Sequence, residues 1–388
     1  MKIALVHDSF TQLGGAERVV DALHELFPEA PVFTLVFDEK FRQKYQSWDI
    51  RTSPLQTLYL ALPRLRYLLL WIPWAVASLD FSGFDVVISS SSGFVKNIHL
   101  PKNTAHICYC HTPPRFLWID ADYVKQEVPF LLRPFVRILL NKMRKWDLIG
   151  SKRVTHFIAN SAEVQKRIKN IYDRDSVVIH PAIDTEFWRA TLAKKDYFLI
   201  AGRLQSHKNN QLIIEIFNQL GRPLRVVGTG RQEEYLKSIA KPNIKFLGRV
   251  SDEQLRDEYS GALGFIYPQV EDFGLMPLEA AACGTATLAY AQGGALETII
   301  PGQTGELFGQ GVVSPFMGSP QTSTVDKSNF AKASSDKSAN YTTEIKQIIL
   351  NWDAKKYKAN DLRQQAQKFS REKFKTSILS LVNNENRN

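Results

Sequence analysis

Tyr197-Phe198-Leu199-Ile200-Ala201-Gly202-Arg203-Leu204-Gln205-Ser206-His207-Lys208-Asn209 is an apolar run of strand length followed by a polar loop that opens on glycine. A helical pattern takes over at Asn210 and runs to Leu220. The same grammar stands at the start of the chain. There Ile3 to His7 reads as a strand, a polar loop closes on Gly14-Gly15, and a helical pattern runs from Ala16 to about Phe27. Around these two passages short apolar runs alternate with amphipathic segments. Asp85 to Ser89, His106 to Tyr109, Phe157 to Ala159 and Val177 to Ile179 are the candidate strands of the first half. Leu224 to Val227, Ile244 to Leu247, Gly264 to Tyr267 and Ala286 to Tyr290 are those of the second.

Buried strands alternating with helices predict parallel sheets covered on both faces. Two such series in 388 residues predict an α/β protein of two Rossmann-like domains. The expected boundaries are 1–188 for the first and 189–368 for the second, with a hinge near Pro181 to Leu192. A last helical segment, 369–388, is expected to cross back to the first domain. Residues 311–341 are rich in Ser, Thr, Lys and Asp and are expected to form a mobile polar insertion in the second domain. Ligands of open α/β sheets sit beyond the carboxyl ends of the strands, so two facing sheets predict an interdomain cleft.

Composition narrows the class. Three cysteines, Cys108, Cys110 and Cys283, make no disulfide framework and suit a reducing, cytoplasmic setting. Cys108-Tyr109-Cys110-His111 invites a zinc reading, but no further ligands follow at suitable spacing. Asp120-Ala121-Asp122 and Asp173-Arg174-Asp175 have a spacing that can hold a divalent cation, yet both stand in turn-like stretches where aspartate has local uses. No metal is expected. Met1 leads straight into the first strand rather than into a cleavable leader. The apolar stretch Leu55 to Leu79 is interrupted by Pro63, Arg64, Arg66 and Pro73, which fits a surface-lying or groove-packed helix pair better than a spanning helix. The net charge is +10, and ten basic residues lie between Arg133 and Lys169 against Asp147 and Glu163 alone. Such a stretch suits phosphates, anionic headgroups or nucleic acid, or simply solvent.

Four motifs carry chemistry, and each follows a predicted strand. Glu271-Asp272-Phe273-Gly274-Leu275-Met276-Pro277-Leu278-Glu279 places one carboxylate on a loop and a second in the helix it opens. Pro277 suits the first helical turn. The backbone N–H groups of Phe273, Gly274 and Leu275 would lie where an anion is stabilised. Arg203 and Lys208 put two cations on one loop, a pair able to neutralise a diphosphate. Gly14-Gly15-Ala16-Glu17 leaves a helix start open to a phosphate. Cys110-His111-Thr112-Pro113 ends a strand with a histidine able to bond a hydroxyl. Gly228-Thr229-Gly230-Arg231 has part of a dinucleotide fingerprint, but Glu233 replaces its third glycine.

Together these residues resemble the retaining glycosyltransferases of family 4, of GT-B fold, over nearly all of Met1 to Phe308 and again from about Trp352 to Leu381. The pattern of Glu271 and Glu279, an E-x7-E motif, is the most specific element. Gly14-Gly15-Ala16-Glu17, His180-Pro181-Ala182-Ile183-Asp184, Arg203 with Lys208, and Gly293-Gly294-Ala295-Leu296-Glu297 support it. The run Ile107 to Arg115 is similar to the subgroup that uses GDP-mannose for bacterial surface polysaccharides or lipid-linked oligosaccharides. The resemblance implies a nucleotide-sugar donor as substrate, no metal and no other cofactor. It assigns Arg203 and Lys208 to the diphosphate, Glu279 to the ribose, and Glu271 with the backbone of Phe273, Gly274 and Leu275 to the sugar. Gly14 and Gly15 would approach phosphate or acceptor, Val250 the base and His111 the sugar. The acceptor would be lipid-linked or an oligosaccharide, with peripheral membrane contact through the first domain on the cytoplasmic side. The competing expectations are a UDP-sugar donor, an epimerase or phosphorylase on the same fold, and a basic nucleic-acid- or membrane-binding protein. No nucleic-acid partner is expected.

Overall fold

Among the described residues, thirteen strands fall into two wholly parallel sheets. The structure, a computed structural model, describes residues 1–119, 128–310 and 341–385. The pair Asp120 and Asp122 lies outside the described residues, as does the polar insertion except for Tyr341. In the first sheet, β1 (Ile3–His7), β2 (Val32–Thr34), β3 (Ile50–Thr52), β4 (Val86–Ser91), β5 (Ala105–Cys110), β6 (His156–Ala159) and β7 (Ser176–Val178) take the order β3-β2-β1-β4-β5-β6-β7. The second holds β8 (Phe198–Ala201), β9 (Leu224–Val227), β10 (Ile244–Gly248), β11 (Gly264–Tyr267), β12 (Thr287–Tyr290) and β13 (Gly305–Phe308), ordered β10-β9-β8-β11-β12-β13. Each sheet runs outward in one direction from its first strand and then reverses, the doubly wound order of nucleotide-binding sheets. The reversal points lie between β1 and β4 and between β8 and β11.

The alternation of side chains along each strand explains the double cover. In the first sheet Leu5, Val86, Ile88, Ile107 and Tyr109 pack against Val19, Val20 and Leu23 of the helix Gly15–Leu26 and Phe374, Ile378 and Val382 of Arg371–Glu385. On the other face Ala4, Val6 and Val87 join Leu55, Tyr59, Leu68, Ile72, Val76, Leu140 and Met143. The second sheet divides likewise. Phe198, Ile200, Val226, Ile266 and Leu288 meet Ile213, Phe217 and Leu236 on one face, and Leu199, Val227, Phe265, Tyr267 and Ala289 meet Leu278, Ala281, Leu362 and Ala366 on the other. Period-two burial on both sides is why these strands read as continuous apolar runs.

The chain divides into two compact units, 1–182 with 372–388, and 183–371. The carboxyl-terminal stretch forms two helices, Ala359–Gln367 and Arg371–Glu385, the second lying within the expected last segment 369–388. They part where Ile183 N–H donates to the Phe369 carbonyl at 2.9 Å and Ser370 bridges Ile183, so the chain there is extended rather than helical. Three strands, β2, β3 and β13, were not expected. Each is three or four residues long, and β3 carries one apolar residue, Ile50. The expected Leu55–Leu79 helix pair is three short pieces, Leu55–Ala61, a 3-10 turn series Leu65–Trp71, and Ile72–Ala77. Pro63 and Arg64 fall in the break.

One polar cluster inside the first unit is fully enclosed. Lys96 pairs with Asp147, each side chain 1% exposed, and Asp147 also accepts from Trp118 Nε1 at 2.8 Å and Tyr172 Oη at 2.8 Å. It ties the helix Arg133–Ser151 to the segment after β4 and to Arg115–Trp118. Removing one partner strands the other charge without water, which costs about 3–5 kcal/mol. Asp147→Ala is therefore expected to lower the chemical-denaturation midpoint by that stability, and Lys96→Met with Asp147→Leu together to recover most of it.

Candidate nucleotide and sugar site at the carboxyl edges of the sheets

In the second unit the loops after β8 and β11 flank the reversal point. They are stitched together. Asn209 sits in the left-handed region at φ 55° and its side chain donates to the Pro268 carbonyl at 3.1 Å. Lys208 Nζ pairs with Glu271 Oε1, and buried Gln269 Nε2 approaches the same oxygen at 3.4 Å. The sequence placed Lys208 and Glu271 in separate motifs; the fold makes them one ion pair, with Lys208 13% and Glu271 32% exposed at the side chain. The pair is open enough to be parted by a ligand carrying both an anion and hydroxyls.

The rest of the Arg203–Lys208 loop is held by glycines that the sequence reading took as a fragment of a dinucleotide motif. Gly228, at φ +123°, lies so close to the loop that a Cβ would stand 1.8 Å from the Gly202 carbonyl oxygen. A Cβ on Gly230 would stand 2.2 Å from that of Leu204. Backbone bonds cross the same gap: Leu204 N–H to the Thr229 carbonyl and Gln232 N–H to that of Leu204, both 3.0 Å. Leu204 is buried, so the exposed Arg203 beside it stands on a fixed backbone. Gly228-Thr229-Gly230 is thus a support for the cationic loop.

The Glu271–Glu279 segment has a second glycine support. Gly294 N–H donates to the Glu271 carbonyl at 3.0 Å. A Cβ on Gly293 would lie 2.3 Å from that carbonyl oxygen, and one on Gly294 1.8 Å from the Phe273 carbonyl oxygen. Gly274, at φ +85°, caps the helix Leu275–Ala282, and Pro277 is the third residue of that helix. Proline has no N–H, so the first turn aims the N–H groups of Leu275 and Met276 outward without a third. Glu279 is 2% exposed, not the solvent-facing glutamate of an ordinary helix. Both carboxylates bear on Tyr267: burial first, then Glu271, with Glu279 adding to it, push the phenol well above its ordinary range. Tyr267 therefore stays a neutral phenol. Val250 is half-buried just beyond β10.

In the first unit the matching reversal point is organised by Asp8, directly after β1. Its carboxylate accepts the backbone N–H groups of Ser92, Phe94 and Val95 at 2.6, 2.7 and 2.9 Å. The sequence reading missed it, since a lone aspartate after a strand is a common turn residue. Gly14 caps the helix Gly15–Leu26, and its N–H donates to Glu17 Oε2 at 2.7 Å. Gly15 is exposed at that helix start. His111 follows β5 and its Nε2 contacts Ser90 Oγ at 2.8 Å. Cys108 and Cys110 point to the side opposite Tyr109, in an apolar cluster with Phe157 and Val164. Burial pushes the Cys108 thiol up to about 12, which suits a packed thiol rather than a ligand. Among the described residues no group of three or more His, Cys, Asp or Glu side chains could hold a metal ion.

The "Glycosyltransferase Family 4" model matches residues 13–187, and the "Glycosyl transferases group 1" model matches residues 182–315. The GDP-mannose-dependent monoacylated alpha-(1-6)-phosphatidylinositol monomannoside mannosyltransferase of Corynebacterium glutamicum is 35% identical over 115 residues, 26% of this chain and 30% of that protein. The chain thus aligns with under a third of that relative's length. The alpha-1,3/1,6-mannosyltransferase alg2 of Schizosaccharomyces pombe is 24% identical over 372 residues, 79% of this chain and 70% of its own. Among solved structures, that of HepE from Anabaena in complex with UDP superposes with a TM-score of 0.70 at 16% identity, over 99% of this chain and 100% of its own. That likeness gives the fold. With one family model on each unit and two doubly wound parallel sheets, the chain belongs to the family 4 glycosyltransferases, of GT-B fold.

Proposed function

We propose that the protein is a retaining glycosyltransferase that moves a hexose, mannose from GDP-mannose, to a lipid-linked or saccharide acceptor in surface polysaccharide or glycolipid biosynthesis. The observation that carries this reading is the Lys208–Glu271 pair on two loops whose backbones are held by glycine contacts. A sugar diphosphate supplies both an anion for Lys208 and Arg203 and hydroxyls for Glu271. Glu279 takes the ribose hydroxyls, and Val250 lies beside the base. The N–H groups around Gly274 and Leu275 face the sugar and phosphate. In the first unit, Gly14, Gly15 and His111 are assigned to phosphate, acceptor and sugar. The mannosyl donor is supported by the mannosyltransferase relatives. The UDP complex of HepE favours the second reading, a UDP-sugar donor.

The chemistry follows from the charges. As the glycosidic C–O bond lengthens, negative charge gathers on the departing diphosphate and positive charge on the ring. Arg203 and Lys208 stabilise the former in a fixed geometry, so they lower the barrier more than they tighten the ground state. The acceptor hydroxyl attacks from the face the phosphate leaves, and a phosphate oxygen takes its proton. Thermal unfolding with a panel of nucleotide sugars tests the donor. GDP-mannose at about 100 times its Kd adds about 2.7 kcal/mol of stability, and UDP-sugars add none. A shift with UDP-glucose and none with GDP-mannose would reverse the assignment.

The acceptor reading has its own surface in the first unit. Leu60, Tyr67, Leu70, Trp71 and Trp74 are each at least half exposed. So are Phe130, Leu131, Leu132, Phe135 and Ile138, alongside exposed Arg137, Lys142 and Lys145. Apolar and aromatic side chains with flanking cations suit an anionic bilayer surface. No helix among the described residues is long and apolar enough to cross a membrane. Wild-type protein is expected to co-sediment with vesicles containing phosphatidylglycerol. Trp71→Ser with Trp74→Ser lowers the bound fraction at least 10-fold, and 0.5 M salt weakens it further. Equal sedimentation with neutral and anionic vesicles would count against the charge argument.

A further inference from the structure

A phosphate that approaches Lys208 meets a carboxylate of the protein already paired with it, so the ion pair with Glu271 is also a competition. Both side chains start from backbone that does not depend on the pair. Lys208 ends the 3-10 turn Ser206–Lys208, its N–H donates to the Gln205 carbonyl at 3.0 Å, and Asn209 ties the next residue to Pro268. The Glu271 carbonyl accepts the Gly294 N–H. The pair can therefore part without the loops coming apart. Its partners differ in exposure, 13% for the Lys208 side chain and 32% for Glu271, so the ammonium is the one less able to do without a counter-charge. The Lys208 and Gln269 contacts both fall on Glu271 Oε1, which leaves the carboxylate acceptor capacity at Oε2.

That competition ends differently for a nucleotide that carries a sugar and for one that does not. When a sugar diphosphate takes Lys208, Glu271 gives up its cation and gains hydroxyl donors, and hydrogen bonds to an ionised acceptor are the strong ones. When a bare diphosphate takes Lys208, Glu271 gives up its cation and gains nothing, and its charge then lies beside that of the phosphate. Specificity is a difference of affinities, and a repulsive element aimed at the wrong ligand supplies it as well as an attractive one aimed at the right ligand. We infer that Glu271 sets the sugar nucleotide above the spent nucleoside diphosphate by reclaiming Lys208 once the sugar has gone, a role that rests on the sugar-transfer reading of this site. Transfer itself turns the balance. The sugar–phosphate bond breaks, the hydroxyls leave with the acceptor, and the ion pair re-forms at the expense of the diphosphate. The same carboxylate thus holds the substrate and hastens product release.

Isothermal titration of the full chain with GDP-mannose, GDP and inorganic diphosphate tests this, and UDP-glucose with UDP covers the second donor reading. Glu271→Gln keeps the length of the side chain and the Gly294 contact, which is made to the backbone. It is expected to tighten GDP and diphosphate on the order of 10-fold, while GDP-mannose changes by less than about 3-fold. The preference for the sugar nucleotide over GDP therefore narrows. A double-mutant cycle separates reclaiming from plain repulsion. In Lys208→Ala there is no pair to re-form, so the gain in GDP affinity from Glu271→Gln is smaller there by about 3-fold or more. Equal tightening of GDP and GDP-mannose, or the same gain for GDP with and without Lys208, would overturn the inference while leaving the donor reading intact. Failure of the donor reading looks different: wild type then binds diphosphate and neither sugar nucleotide, and the specificity role falls with it.

Discussion

Lys208→Ala is expected to lower kcat by about 10²-fold or more, with a smaller change in donor KM. The charge it supplies is needed most when the diphosphate departs, which places its effect on rate. Its loss has a second consequence. Glu271 would keep its negative charge beside the incoming phosphate without the Lys208 counter-charge it now meets. Lys208→Ala with Glu271→Gln is accordingly expected to recover donor affinity over Lys208→Ala alone and to recover none of the rate. Arg203→Ala, on a side chain that does not make this pair, is expected to fall by a similar factor in kcat without that compensation. Steady-state rates at saturating donor, with titration of the diphosphate, separate the two effects. Wild-type kcat in both single variants would remove these cations from the leaving-group role.

Gly294→Ala tests the scaffold rather than the charges. Its Cβ would lie 1.8 Å from the Phe273 carbonyl oxygen and 2.3 Å from Phe273 Cα, both backbone atoms that cannot rotate away. Either the Gly294 turn or the Glu271–Leu275 loop must move. Overpacking of this kind costs about 1–3 kcal/mol, read as a lower denaturation midpoint. A displacement of about 1 Å at the Glu271 loop is enough for a rate loss of about 10²-fold. Gly302→Ala is the control: φ is +77° there, but nothing stands within 4 Å of the added carbon, so it loses stability through backbone strain alone and keeps its rate. Equal rates in both variants would mean that the Gly293–Gly294 contact does not set the position of Glu271.

The two sheets were legible because their strands are buried on both faces and so stand out as apolar runs between helical patterns. Leu224–Val227 and Gly264–Tyr267 coincide with their expected bounds, as does the helix Asn210–Leu220. Strands of three residues such as Ile50–Thr52 carry too little pattern to register; the sheet edge that recruits them is set by neighbours far along the chain. Much the same divides the site. Charges after strands could be picked out one by one, but the Lys208–Glu271 pair joins residues 63 apart in sequence, and only the strand order brings them together. Gly228, Gly230, Gly293 and Gly294 were visible as glycines, yet their reason is the backbone they lie against. His111 could be picked out after its strand, but its contact with Ser90 depends on the parallel pairing of β4 with β5.

The measurement that bears most directly on the proposed transfer is the anomeric outcome with GDP-mannose labelled at C1 and an extract of membrane lipids and saccharides as acceptor, read by NMR. Wild-type protein is predicted to pass the label to the acceptor fraction with the donor's α configuration kept, and Lys208→Ala to leave it on the donor. Label appearing with inverted configuration, or only as free mannose in wild type and Lys208→Ala alike, would contradict the account.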